Sequence, residues 1–105
     1  MIKIELLYFD GCPSWKIALE NLRSALISED KEFDIALVNI ASAEDAESEQ
    51  FLGSPSIRVD GENLWPEKRL HYRLSCNVYP TPDGLQGSPT IEMIKQQFRK
   101  LDLIK

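Results

Sequence analysis

Apolar positions along this chain switch between strand-like and helix-like spacing. Residues Ile2–Tyr8 (I-K-I-E-L-L-Y) begin as an alternation and become continuously apolar, the pattern of a strand buried on both faces. Asp10-Gly11 breaks the run, and Pro13 follows, a residue suited to the first turn of a helix. Trp15, Ala18, Leu19, Leu22, Ala25 and Leu26 then recur every third or fourth position, which predicts an amphipathic helix over Pro13–Ile27. Ser28–Lys31 reads as a polar turn. Phe33–Ile40 (F-D-I-A-L-V-N-I), alternating and rich in branched residues, predicts a second strand.

The segment Ala41–Phe51 is acidic and weakly amphipathic. Ser42 ahead of Glu44 and Asp45 predicts a helix with acidic residues in its first turn, ended by Gly53. Ser56–Val59 is a short strand, Asp60-Gly61 a strong hairpin signal, and Glu62–Trp65 the return strand. Pro66–Ser88 lacks clear periodicity and reads as one long structured loop, a length usually tied to function or disorder. Ser88-Pro89-Thr90-x-Glu92 opens a last helix with Ile91, Ile94, Phe98 and Leu101 on its apolar face. The resulting order is strand–helix–strand–helix–strand–strand–helix. A helix between the first two strands makes them parallel, with a right-handed crossover. The fold class is therefore α/β: a mixed sheet of about four strands with helices on both faces.

Composition narrows the function. A chain of 105 residues, 43% hydrophobic and 28% charged, is one globular domain's worth, spanning 1–105. It carries 12 Lys+Arg against 17 Asp+Glu, a net charge of −5, which argues against nucleic acid or an anionic membrane as partner. No apolar stretch approaches the roughly 18 residues of a membrane span. Glu5 and Asp10 interrupt the opening stretch and no small-residue cleavage site follows, so no secretory signal is expected and the location reads as cytoplasmic.

Only two cysteines are present, Cys12 and Cys76, and no C-x-x-C, which excludes a dithiol thioredoxin motif and a zinc ribbon as written. Cys12 falls between a strand end and a helix start, where free backbone N–H groups and the helix dipole favour an anion. A thiol so placed is expected to ionise more readily than a free cysteine. The competing reading is a small buried cysteine with no chemistry. Trp15 stands where the second cysteine of C-x-x-C would fall, as an apolar wall beside the sulfur or as core.

The residues Cys12-Pro13-Ser14-Trp15 after a buried strand, with Gly53-Ser54-Pro55-Ser56 before the hairpin, resemble the thioredoxin superfamily. Y-F-D-G-C-P, G-S-P-S-I-R-V-D-G, C-N-V-Y and G-L-Q-G-S-P-T together resemble a family of small bacterial thioredoxin-like proteins. Its members carry labels such as thioredoxin family protein, alkylmercury lyase or DF family (seleno)protein, and some have selenocysteine in place of cysteine. The resemblance covers nearly the whole chain. It implies a thioredoxin-like fold, maps a cis-proline facing the active cysteine onto Pro55, and implies that Ser54 and Pro55, with Pro13 and Trp15, shape a substrate groove. The missing second active-site cysteine is a departure from dithiol thioredoxins.

In such a sheet the Pro66–Ser88 loop leaves from the Cys12 side, long enough to carry Cys76 over the site. Cys76 is then a resolving thiol for a Cys12 nucleophile, or a cysteine that merely packs the loop. His71 reads as a surface residue or a partner for a thiolate, and Arg69 and Arg73 as charge near the sulfur or solvated loop. Tyr8 reads as core, Tyr79 as a possible flank of the site, and Glu44–Glu49 as a solvated helix face. Three functions remain open. One is a thiol–disulfide oxidoreductase without cofactor or metal, acting on a protein or small-molecule disulfide. Another is a soft-metal thiolate protein. The third is a non-catalytic module binding a protein segment beside Pro55. Oligomeric state is left open.

Overall fold

Strand β1, Ile2–Tyr8, sits at the centre of a four-stranded sheet because both of its edges are paired. Strand β2, Phe33–Asn39, lies parallel on one edge, with Ile4 opposite Ile35. Strand β3, Ser56–Val59, lies antiparallel on the other, and β4, Glu62–Asn63, pairs antiparallel with β3, for the order β2-β1-β3-β4. The computed structural model describes residues 2–27, 29 and 31–104. Ser28 and Asp30, and with them part of the polar turn expected at 28–31, lie outside the described residues.

Helix α1, Trp15–Leu26, and helix α3, Ile91–Lys100, pack together on one face of the sheet. Ala18, Leu22, Ala25, Leu26, Ile94 and Phe98 close over Ile4, Leu6, Ile57 and Val59 to form the main core. The cross-strand pairs Ile4–Val59 and Leu6–Ile57 supply its floor. On the opposite face the short helix α2, Ala43–Ser48, covers only the far end of β1, where Leu7, Ile40, Ala46 and Phe51 form a second cluster.

Helices on both faces were expected, yet the second face is covered only in part. Its remainder is polar: Glu5 of β1 is paired across the sheet with Arg58 of β3 at 3.0 Å, and Arg58 also reaches Glu49 at 3.0 Å. β1 is accordingly buried on both faces only where it reads Leu6-Leu7.

Other differences have local causes. α1 starts at Trp15 because Pro13 and Ser14 form the preceding turn, with Ser14 as its cap residue. α2 ends at Ser48, well short of Gly53, since Gln50 turns to φ 51° and the Phe51 N–H closes on the Ala46 carbonyl. The Ser42 hydroxyl does cap α2 by accepting the Asp45 N–H at 3.1 Å, and Thr90 caps α3 likewise through Met93. Asp60 and Gly61 both have positive φ, as a two-residue hairpin of this type requires. Pro66–Ser88 is not one loop: Tyr79–Thr81 (β5) and Gly84–Gln86 (β6) form a small antiparallel hairpin. On α3, Ile94 and Phe98 are buried, whereas Ile91 and Leu101 face outward.

Candidate functional site

Cys12 follows the turn that leaves β1, with its N–H donating to the Phe9 carbonyl, and stands two residues before the Ser14 cap of α1. Its side chain is 3% exposed. Its sulfur is bonded to Cys76, 64 positions away, with the two Cα atoms 5.8 Å apart. That separation lies inside the range a disulfide can span. Among the described residues no free cysteine remains.

Cys76 is held where it is by more than the bond. The Ser54 N–H donates to the Ser75 carbonyl and the Asn77 N–H donates to the Ser54 carbonyl, both at 2.8 Å, so Ser54 and Cys76 form a parallel bridge. The Asn77 amide donates to the Pro55 carbonyl at 3.3 Å, and the Tyr79 hydroxyl donates to the same oxygen at 2.6 Å. Burial pushes the Tyr79 phenol well above its ordinary value, against a smaller lowering by the Asn77 amide, so it stays a neutral donor. Trp65 meets the Tyr79 ring edge-on, with centroids 5.2 Å apart.

Gly53 makes this docking sterically possible. Its φ is +112°, and a Cβ there would come within 3.0 Å of the Asn77 nitrogen. The Ser54–Pro55 peptide bond is cis. Ser54 is buried, and its hydroxyl has no hydrogen-bond partner among the described residues. The Ser56 hydroxyl donates to the Gly53 carbonyl.

The residues named from the sequence are thus partly assembled. Cys12, Cys76, Ser54 and Pro55 meet at the end of β1. Pro13 is exposed on the adjoining turn, and Trp15 stacks on Tyr8 at 4.3 Å and packs against the main core. An open cavity of about 600 Å³ borders Cys76 and is lined also by Arg69, His71 and Arg73. Arg69 pairs with Glu67 at 2.6 Å, and the exposed His71 lies 3.8 Å from Glu47. The acidic run is more than a solvated face, because Glu47 also accepts the Tyr72 N–H and Glu49 holds Arg58. Sequence reasoning missed Asn77 and the docking role of Gly53 and Tyr79. The C-N-V-Y string contains two of these residues, but nothing local says that they reach back to Pro55.

Among the described residues, no group of three or more His, Cys, Asp or Glu could hold a metal ion. No described helix is long and apolar enough to cross a membrane. No family model, curated protein or solved structure matches the chain.

Proposed function

We propose that this chain is a thiol–disulfide oxidoreductase of thioredoxin-like architecture, cycling between a Cys12–Cys76 disulfide and the corresponding dithiol. The observation that carries the reading is the bond itself, joining a cysteine at the end of β1 to one on a segment docked against Ser54. The strand order β2-β1-β3-β4, with α1 and α3 on one face, supports the thioredoxin-like part, as does the resemblance of the Cys12 and Pro55 motifs to the small bacterial thioredoxin-like family.

The chemistry balances over two electrons. Two external thiols become one external disulfide while the Cys12–Cys76 bond opens to two thiols, and the reverse direction oxidises the protein at the expense of an external disulfide. Any negative charge left on Cys12 lies just ahead of the first turn of α1, where backbone amides and the helix dipole favour it. In a reducing cytoplasm such a bond is a working state rather than a permanent staple.

The test is the reduction potential of the pair, followed by alkylation after equilibration with thiol–disulfide buffers. A value above about −300 mV is expected, and one well below it would mark a purely structural bond and overturn the reading. Cys12→Ser and Cys76→Ser should each abolish turnover of a model disulfide. One observation favours a second reading: once reduced, two thiols on Cα atoms 5.8 Å apart suit a two-coordinate soft metal. Tight binding of Hg²⁺ by the dithiol, without disulfide turnover, would favour that alternative.

A further inference from the structure

The two cysteines of the pair differ in exposure. Cys12 is buried, whereas Cys76 is exposed and borders the cavity lined by Arg69, His71 and Arg73. The segment carrying Cys76 is held to Ser54 and Pro55 by the four hydrogen bonds already described, and none of them depends on the disulfide. These bonds would hold the segment over Cys12 with the disulfide open. We propose, building on the oxidoreductase reading, that Cys76 is the sulfur that exchanges with the outside and Cys12 the internal one. We propose further that the external partner is a low-molecular-weight thiol bearing a carboxylate or sulfonate. This reverses the order expected from the sequence, in which Cys12 attacks and Cys76 resolves.

In the reductive direction the external thiolate attacks Cys76 Sγ. The Cys12–Cys76 bond breaks, its electron pair leaves on Cys12 Sγ, and a mixed disulfide forms between Cys76 and the external sulfur. A second external thiolate attacks the external sulfur of that mixed disulfide, which frees the Cys76 thiolate and releases the external disulfide. Both protein sulfurs then take up protons as their environment requires. Oxidation runs through the same mixed disulfide: Cys76 attacks the external disulfide, and Cys12 displaces the remaining external thiolate.

Partner size and charge follow from the surroundings. The Ser54 N–H and carbonyl, where an extended peptide would pair, are already occupied by Ser75 and Asn77. What remains beside Cys76 is a cavity of about 600 Å³, within the usual range for small-molecule sites. Arg69 is paired with Glu67, whereas Arg73 has no ion-pair partner among the described residues. This leaves local positive charge on a chain whose net charge is −5. Attraction of that kind raises the encounter rate of an anion and fades with salt.

The experiment reduces the oxidised full chain with 2-mercaptoethanesulfonate, 2-mercaptoethanol or cysteamine, with rates compared per thiolate. Reactions are quenched early with acid, the protein is unfolded in urea and alkylated with N-ethylmaleimide at mildly acidic pH, and the adducts are mapped by mass spectrometry. The mixed disulfide should sit on Cys76, with Cys12 alkylated. The sulfonate should react roughly tenfold faster than the cationic cysteamine at low salt, and Arg73→Ala should remove most of that difference. An adduct on Cys12 would overturn the assignment of the exchanging sulfur. Equal rates for the three thiols with an adduct on Cys76 would overturn the anionic partner. A disulfide that none of the thiols opens would instead defeat the oxidoreductase reading.

Discussion

Ser54 grips the two neighbours of Cys76 through both of its backbone groups, donating to Ser75 and accepting from Asn77 at 2.8 Å each. The chain thereby uses its own segment to fill the strand edge beside Pro55. That edge is where the non-catalytic reading would seat a partner's segment, and such a partner would first have to displace residues 75–77. The same arrangement keeps a buried cysteine and an exposed one within bonding reach across 64 residues.

Gly53 is the position where this docking is most sensitive. Gly53→Ala combines an unfavourable φ with a Cβ pressed against the Asn77 backbone, and neither neighbour is a flexible side-chain tip. The expected cost is about 1–3 kcal/mol in urea unfolding of the oxidised protein, with slower re-formation of the disulfide after reduction. Unchanged stability and an unchanged oxidation rate would show that the segment tolerates displacement.

Opening the disulfide should itself lower stability. A cross-link closing a loop of 64 residues restricts the unfolded chain by about 4 kcal/mol in the chain-entropy account. Urea midpoints measured with and without dithiothreitol should differ accordingly. Coincident curves would mean that the reduced unfolded chain is already compact there.

Tyr79→Phe removes the hydroxyl that donates to the Pro55 carbonyl while keeping the ring against Trp65. A loss of about 1–2 kcal/mol is expected, because a buried acceptor loses its shorter bond. The substitution also tests a pH dependence. Unfolded, the phenol ionises near its ordinary 10.0; folded, burial makes it hold the proton to higher pH. Its contribution is therefore complete below about pH 10 and is lost as pH rises through the folded value. Wild type should lose stability more steeply than Tyr79→Phe in alkali, and parallel curves would contradict the assignment.

Phe98 is fully buried between the helices and the sheet and meets Phe33 edge-on at 6.2 Å. Phe98→Ala should cost about 3–5 kcal/mol by thermal or chemical unfolding. Leu70, 93% exposed, offers the comparison: Leu70→Ala should change stability by less than about 0.5 kcal/mol. Similar losses at both sites would mean that the main core is not where the packing puts it.

Much of the architecture was legible in residue order. The spacing of Leu22, Ala25 and Leu26, the run Leu6-Leu7 and the pair Asp60-Gly61 encode local conformation, because helix period, strand burial and hairpin geometry act over a few residues. Cys12 at the junction of β1 and α1 was readable for the same reason. The β5–β6 hairpin was not, since three-residue strands with Pro80 inside one of them carry no usable periodicity.

The sequence by itself thus determined the kinds of element and the position of one sulfur between a strand and a helix. Tertiary structure alone decided that Cys76 lies against Ser54, that Asn77 and Tyr79 reach back to Pro55, and that one cysteine is buried while the other is exposed. These are contacts between residues tens of positions apart. Their energies depend on how packed surfaces meet, which no local spacing of residue types encodes.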